Sequence, residues 1–350
     1  MRKHGALSAA RARWTALVAV LAALGLGVGV LSVSVPFVVW SAGTCTDLYA
    51  AGGVVVTGAD TYPVTGHLQV ADVSVSSTPD VRFGDALAAF FSSDRAVLPQ
   101  AVSFPVGQPI SQVAIGSQSE EIRRTAEAAA LNLAGLPVTR APRVVSVAAA
   151  GPSSGELLAD DVITAVGATT VTSVADFNQA VATHSIGDTI QLSVTRAGKQ
   201  LDSPIDVVAE ASKAAQPTPS LGVTMADSYL LGSVVVQGAP TTIGSGLMLA
   251  IALYDKVTPG GPLLGNLTVA GAGMVDANGV VSGVTGANER LRAGQAAGAQ
   301  VFLLPASNCG NVAWSGVTMT VVAVTSLQQA VTSLRILSAG YSAGVPMCPQ

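Results

Sequence analysis

The sequence predicts an N-terminal transmembrane helix followed by domains of mixed α/β and α+β structure. Residues 14–46 contain no charged side chain, and beyond them segments that alternate apolar and polar residues are interleaved with segments of helical spacing. The chain has 350 residues, of which 49% are hydrophobic and 11% are charged. Because disordered chains are poor in apolar residues and rich in charge, the low charge of this chain does not indicate disorder. A net charge of −4 and an aromatic content of 4% do not favour nucleic-acid binding.

The apolar run is long enough for a membrane anchor, which we place at residues 14–40. Spanning a bilayer takes about 20 apolar residues in a helix, and residues 17–35 are almost wholly Ala, Val, Leu and Gly. Basic residues precede the run and none follows it before Arg82, so the positive-inside rule leaves residues 1–13 cytoplasmic and the bulk of the chain extracytoplasmic. A cleaved signal peptide is the alternative, but its apolar core is shorter than this run. The expected localisation is the cell membrane, with a single pass.

Three cysteines follow the predicted anchor, Cys45, Cys309 and Cys348. Disulfides persist outside the reducing cytoplasm. Cys309 and Cys348 are the preferred pair, because their bond would tie the C-terminal tail, residues 338–350, to the last domain. The histidines are far apart and no C-x-x-C motif is present, so we expect no metal site and no cofactor.

Residues 41–136 form the first region, which we interpret as a strand-rich, membrane-proximal spacer. Residues 54–56 and 67–75 alternate like strands, and turn residues such as Gly58 and Gly66 lie between them. Residues 117–133 have helical spacing, with Ser119 available as an N-cap.

Residues 137–212 form a second region of short strands and one helix. We predict strands over residues 143–148, 161–166, 189–196 and 199–208. The helix, over residues 174–183, is preceded by Ser173, with Asp176 at the spacing of a capping box. This order resembles a PDZ domain of the bacterial envelope type, and the segments that carry the likeness are residues 144–147, 155–165, 171–177 and 187–190. Asp160 departs from the family, which usually has Gly there.

The PDZ resemblance implies that the second region binds an extended peptide. A PDZ domain adds the peptide as a strand and holds its C-terminal carboxylate on backbone N–H groups. We assign that carboxylate-binding loop to Gly135, Leu136 and Pro137. A PDZ fold that serves only as a spacer is the alternative.

Residues 221–337 form the third region, an α/β domain. Residues 244–259 predict a helix that starts among small residues and stops at a Pro-Gly pair. Asn278-Gly279 is a hairpin signal between two short strands. A further helix is expected from Gly286 to residue 297, before a buried strand at residues 301–305. Strands that alternate with helices favour a layered α/β arrangement.

The third region resembles the proteolytic domain of the Lon family. The likeness is carried by Gly246-Leu-Met248 and residues 253–259, and it extends to residues 61–68 and 94–97 of the first region. With the anchor and the PDZ region, the chain resembles the membrane-anchored PDZ–Lon-protease-domain proteins of Gram-positive, especially actinobacterial, bacteria. The ATP-binding G-x-x-x-x-G-K-[ST] loop is absent from the sequence.

The Lon family uses a Ser–Lys dyad. Alignment on Gly246-Leu-Met248 and residues 253–259 puts Gly244 at the position of the serine, and the segment from Thr285 to Leu291 puts Arg290 at the position of the lysine. Glycine offers no nucleophile, and arginine, with a pKa above about 12, cannot act as a general base. Ser245 is the fallback nucleophile. It lies one residue after the dyad position at Gly244, and one residue along a helix turns a side chain by about 100°, enough to direct the Ser245 hydroxyl away from the dyad. No catalytic residue of the dyad is therefore intact. We interpret Asp255 and Lys256, in the same helix, as surface groups.

The sequence therefore predicts a membrane-tethered pseudoprotease that binds extracytoplasmic polypeptides or protein C-termini without cleaving them. The resemblance to Lon-type domains, which commonly form rings, implies a homo-oligomer or assembly with an active paralogue. The alternative is an active serine endopeptidase in envelope proteolysis, with Ser245 as its nucleophile. Neither hypothesis includes nucleic acid as a partner.

Overall fold

A computed structural model describes residues 14, 21, 24–50, 53–76, 80–92, 95–99, 112–238 and 242–349. The helices bounded within these ranges are α1 (Phe83–Phe90), α2 (Gln112–Leu133), α3 (Val174–Ala182), α4 (Gly246–Val257), α5 (Ala287–Ala296) and α6 (Leu327–Ser338). The strands are β1 (Phe37–Asp47), β2 (Val55–Thr57), β3 (His67–Ser76), β4 (Arg95–Pro99), β5 (Thr139–Val147), β6 (Val162–Val166), β7 (Thr169–Thr170), β8 (Thr189–Arg196), β9 (Lys199–Gln200), β10 (Ile205–Val208), β11 (Glu210–Ala211), β12 (Pro219–Ser220), β13 (Val223–Leu230), β14 (Val235–Gln237), β15 (Thr268–Gly271), β16 (Met274–Val275), β17 (Val281–Ser282), β18 (Val301–Pro305) and β19 (Thr320–Val324).

The predicted transmembrane helix over residues 14–40 is wrong, and so is the single-pass membrane localisation that followed from it. Within the described ranges, no helix has the length and apolar character that crossing a membrane requires. Residues 24–31 are helical, but Phe37–Asp47 forms β1, which pairs with β3 on one side and β4 on the other. The aromatic and β-branched residues that made this stretch apolar also favour a strand. The predicted cytoplasmic segment, residues 1–13, lies outside the described residues.

The larger sheet has six strands in the order β19-β18-β15-β3-β1-β4. Strand β15 runs parallel to both β18 and β3, whereas β1 is antiparallel to β3 and β4. His67 in β3 pairs with Thr268 in β15. The first and third regions, which the sequence analysis separated at residues 41–136 and 221–337, therefore contribute strands to one sheet.

Helices pack on both faces of this sheet. On one face, residues of α2, α4 and α6 form a core with Leu68 and Val70 of β3. On the other face, residues of α5 form a second core with Ala71 of β3 and Phe302 of β18. Because successive residues of a strand point to opposite faces, β3 contributes to both cores.

Helix α4 lies inside the molecule, and this corrects the interpretation of Asp255 as a surface group. Asp255 is buried, accepts a hydrogen bond of 2.6 Å from the Tyr49 hydroxyl and accepts another of 3.0 Å from the Leu263 amide. Burial raises the pKa of the Asp255 carboxyl, an effect that the Tyr49 hydrogen bond opposes. Lys256 is partly buried, with its ammonium nitrogen 6.0 Å from the centre of the Tyr49 ring. The side chains of Asp255 and Lys256 therefore both lie against Tyr49.

A second sheet belongs to the segment from β5 to β13, residues 139–230, which we call the inserted domain. Its main strand order is β10-β8-β6-β5-β13, with β7 beside β6 and β9 beside β8. Phe177 of α3 packs in a core with Ile163 and Leu192 of the sheet. The predicted cap of α3 is confirmed, since the Asp176 amide donates a hydrogen bond of 3.1 Å to the Ser173 hydroxyl oxygen.

Two adjacent aspartates organise the inserted domain. Asp160 has a left-handed backbone, with φ of 72°, a conformation that favours glycine, which the resembled family usually has at this position. Its carboxylate accepts hydrogen bonds of 2.8 Å from Arg143 and 3.3 Å from Arg124 of α2, so it ties the domain to the rest of the molecule. The neighbouring Asp161 is fully buried and accepts two bonds, of 2.7 and 2.8 Å, from Arg196. The pairing offsets the cost of burying that charge.

The C-terminal tail extends the larger sheet beyond β19. Met347 pairs with Val322, and the Cys348 amide donates a hydrogen bond of 3.1 Å to the carbonyl of Val321. Cys348 forms a disulfide with Cys309, and Cys45 is a free thiol. The edge of β19 is therefore covered by the chain's own tail, which reduces its availability for pairing with other strands.

Replacing both Cys309 and Cys348 with serine should lower the free energy of unfolding by about 2–4 kcal/mol, because the bond constrains the unfolded chain. The two residues are separated by 39 positions in the sequence, a long closed loop. Urea unfolding of the full chain measures the change. The reduced wild type should behave like the double variant. Equal stability of the double variant and the oxidised wild type would contradict this expectation.

Candidate functional site

Strand β13 forms one edge of the sheet in the inserted domain. It pairs with β5 from Val223, opposite Val147, to Leu230, opposite Thr139. In the part of the chain that the structure describes, no strand pairs with its other edge. Helix α3 lies alongside, since the amide of Val174, its first residue, donates a hydrogen bond of 2.7 Å to Asp227 of β13. The open edge and the helix together form a groove, which we call the β13–α3 groove.

The chain enters β13 through a tightly packed turn at Leu221 and Gly222. Leu221 is buried in the core of the inserted domain, and its carbonyl accepts a hydrogen bond of 2.7 Å from the Ser153 hydroxyl. Gly222 has φ of +67°, and a Cβ there would lie 2.8 Å from the Cδ of Pro152. Its carbonyl accepts a bond of 2.8 Å from the Ala148 amide. Only glycine fits this turn, which holds the start of β13 against residues 148–153.

The structure locates Gly135, Leu136 and Pro137 at the opposite end of β13. They follow α2 and precede Thr139, which pairs with Leu230, the last residue of the strand. Leu136 and Pro137 lie in a different surface feature, a cleft of about 740 Å³. Its lining includes Leu136, Pro137, Tyr62, Leu231, Val234 and Pro259.

The prediction of a carboxylate-binding loop at residues 135–137 did not include the turn at Leu221 and Gly222, although the sequence contains a signal for that turn. Leu221-Gly222 directly precedes a segment that runs on as β13, but it lies beyond residue 212, where the second region was expected to end. A search for a glycine before a strand, continued past that boundary, would have found it.

Gly244 and Arg290, the two positions that the resemblance assigns to the dyad, lie next to each other. Gly244 has φ of +95°, and a Cβ there would lie 3.1 Å from the guanidinium carbon of Arg290 and 3.1 Å from a methyl carbon of Val284. A side chain at position 244 would therefore need a strained backbone and would meet the guanidinium. The space beside Gly244 is filled by these two side chains.

Arg290 is 2% exposed, and backbone carbonyl groups surround its guanidinium. It donates hydrogen bonds of 2.7 Å to Ile243, 2.5 Å to Ala71 and 3.2 Å to Thr285. Asp72 is the nearest anion, with 3.7 Å between its oxygen and the guanidinium nitrogen. Burial lowers the pKa of Arg290, and the negative charge of Asp72 opposes that effect. Arg290 thus links β3, the loop before α4 and the loop before α5.

Ser245, the fallback nucleophile, is fully buried. Its hydroxyl donates a hydrogen bond of 2.8 Å to the Thr242 carbonyl, and its oxygen accepts one of 3.2 Å from the Thr242 amide. The Thr242 hydroxyl in turn donates a bond of 2.6 Å to Asp72. The serine hydroxyl is therefore held within the turn that starts α4. Among the described residues, no group of His, Cys, Asp and Glu side chains is arranged to hold a metal ion.

Comparison with known proteins assigns the family of the inserted domain. A family model described as "PDZ domain" matches residues 113–207. The chain contains a PDZ domain. The matched segment begins in α2 and ends in β10, so β13, which pairs with β5 of the same sheet, lies outside it.

Solved structures similar to the PDZ domain come from several bacteria. The PDZ domain of an SdrC-like protein from Listeria monocytogenes is 25% identical, with 24% of this chain and 86% of that chain covered and a TM-score of 0.23. That of an SdrC-like protein from Listeria innocua is 22% identical, with 24% and 92% covered and a TM-score of 0.22. No curated protein matches the chain. These comparisons do not show a Lon-protease domain or an actinobacterial family.

Gly222→Ala should destabilise the PDZ domain more than Gly198→Ala, by about 1–3 kcal/mol. Both glycines have a left-handed backbone, with φ of +67° and +78°, but no atom lies within 4 Å of a Cβ at Gly198. The control therefore carries the backbone strain without the collision with Pro152. Urea unfolding of the two full-length variants gives the difference. Equal losses would show that the turn at Gly222 relaxes to admit a side chain.

Proposed function

We propose that this chain binds the C-termini of polypeptides in the β13–α3 groove of its PDZ domain. The proposal depends on one observation, the edge of β13 beside α3 that pairs with none of the described strands. An extended peptide that adds to such an edge satisfies its own backbone hydrogen bonds and those of the strand. Under this proposal the turn at Leu221 and Gly222, at the start of β13, is the segment that binds the peptide carboxylate on backbone N–H groups.

Hydrogen exchange of the full chain, with and without a bound peptide, tests the location. The probe is the tightest binder from a synthetic library of peptides with free carboxyl ends. We expect the peptide to slow amide exchange in residues 223–230 of β13 and to leave residues 205–208 of β10, the opposite edge of the same sheet, unchanged.

The same peptide with an amidated C-terminus should bind at least about tenfold more weakly, because it lacks the charged acceptor for backbone N–H groups. Slowed amide exchange at residues 134–137 and 58–62 would instead show that the peptide binds in the cleft that contains Leu136 and Pro137. Failure of every library peptide to bind would favour the spacer alternative.

We further propose that the larger sheet and its helices form a Lon-protease-like domain without peptidase activity. The adjacency of Gly244 and Arg290 supports this proposal, since these are the positions that the resemblance assigns to the nucleophile and the base. An arginine held by three backbone carbonyls stays protonated and cannot accept a proton from a hydroxyl. The burial of Ser245 disfavours the active endopeptidase.

Cleavage of fluorescently labelled casein by the full chain separates the two alternatives. We expect no cleavage above the rate without protein, for the wild type and for Ser245→Ala alike, because neither has an exposed activated hydroxyl. An active serine protease run beside them controls for the substrate. Cleavage by the wild type that disappears in Ser245→Ala would establish the endopeptidase and overturn the pseudoprotease proposal.

A further inference from the structure

One hydrogen bond crosses the β13–α3 groove from the strand to the helix. The Asp227 carboxylate, on β13, accepts a hydrogen bond of 2.7 Å from the amide of Val174, the first residue of α3. Its second oxygen accepts a hydrogen bond from Arg140 of the neighbouring strand β5. The side chain therefore occupies the space between strand and helix at this point.

The bond is favourable for reasons that do not involve a ligand. The first amides of a helix lack partners within the helix, and the helix dipole favours a negative charge beside them. Ser173 satisfies the amide of Asp176, and Asp227 satisfies that of Val174. Displacing Asp227 would leave the Val174 amide unpaired and the carboxylate with Arg140 alone.

The position of this bond limits the length of the groove. A peptide with its carboxylate at Leu221 and Gly222 would run along β13 towards Asp227. Asp227 lies five positions after Gly222 in the sequence. At about 3.3 Å per residue, this stretch of strand is roughly 17 Å long and accommodates about five residues of an added strand.

We infer that Asp227 closes one end of the β13–α3 groove, so that the site takes only the last few residues of a polypeptide C-terminus and does not hold a longer extended segment. This inference rests on the proposed peptide binding. Asp227 is then a specificity-determining residue, which acts by excluding the part of a ligand that lies beyond it.

Binding of nested peptides to the full chain tests the inference. The probes are the tightest library peptide in forms of four, seven and ten residues that share the same free C-terminus. For the wild type we expect the dissociation constants of the four- and ten-residue forms to agree within about twofold. In Asp227→Ala the ten-residue form should gain about five- to tenfold over the four-residue form, because added strand residues form further backbone hydrogen bonds.

A second variant breaks the same bond from the helix side. Val174→Pro removes the donor amide, and proline is well tolerated at the first position of a helix. Ser173, which precedes it, has φ of −147° and ψ of 163°, an extended conformation that is compatible with a following proline. This variant should show the same gain for the ten-residue peptide. Arg140→Ala is the matched control, since it removes the other contact of Asp227 and should keep the wild-type length dependence.

The outcomes separate the inference from the proposed function. Wild-type affinity that rises more than about tenfold from four to ten residues would overturn the inference while supporting peptide binding. Equal weakening of all lengths in both variants would make Asp227 a residue that only positions α3, and would also overturn it. If no peptide binds the wild type, the proposed function itself fails. Thermal unfolding followed by circular dichroism shows whether Asp227→Ala or Val174→Pro has lost its fold. If one of them has, the length dependence of binding by the other tests the inference.

Discussion

The parallel pairing of β3 with β15 is the constraint on which the rest of the structure depends. It brings together strands from the two ends of the chain, with His67 opposite Thr268, and leaves the PDZ domain as an insertion between them. The pairing also determines the surroundings of Arg290. Its acceptor at Ala71 and the neighbouring anion at Asp72 both belong to β3. Without β3 in this position, the buried guanidinium would lose its acceptor at Ala71 and its nearest anion at Asp72, and a buried charge that lacks part of its pairing is costly.

The small number of charged residues is compatible with this fold because the charges that are buried have specific partners. Asp161 is bound by Arg196, Asp255 by Tyr49 and the Leu263 amide, and Arg290 by backbone carbonyls. Apart from the Leu263 amide, which is eight residues from Asp255, these partners come from distant parts of the chain. At Arg290 the same arrangement has a consequence for chemistry. A side chain that carries a permanent charge and is held by carbonyl oxygens stabilises a loop, but it cannot take up a proton.

The PDZ domain and the larger sheet are joined through α2. This helix contributes to the core around α4, and its Arg124 reaches Asp160 in the PDZ domain. Strand β13 then returns from the PDZ domain to β14, which pairs with β2 of the first region. The groove wall is thus connected directly to the body of the molecule at its C-terminal end. A peptide bound along β13 would lie on a strand whose two ends are both fixed by packing.

The sequence by itself determined the local elements. The helix that follows Ser173, the buried strand before Pro305 and the long helix after Gly244 all appear, because capping groups and periodicity act within about ten residues. The tertiary structure decided which strands pair and which side chains are buried. Phe37–Asp47 is a strand between β3 and β4, although an apolar run of this composition also suits a membrane helix. The groove depends on β13, whose pairing with β5 no local pattern specifies. Local interactions are encoded in neighbouring residues, whereas strand order and the burial of Asp255 or Ser245 are settled by contacts between residues far apart in the chain.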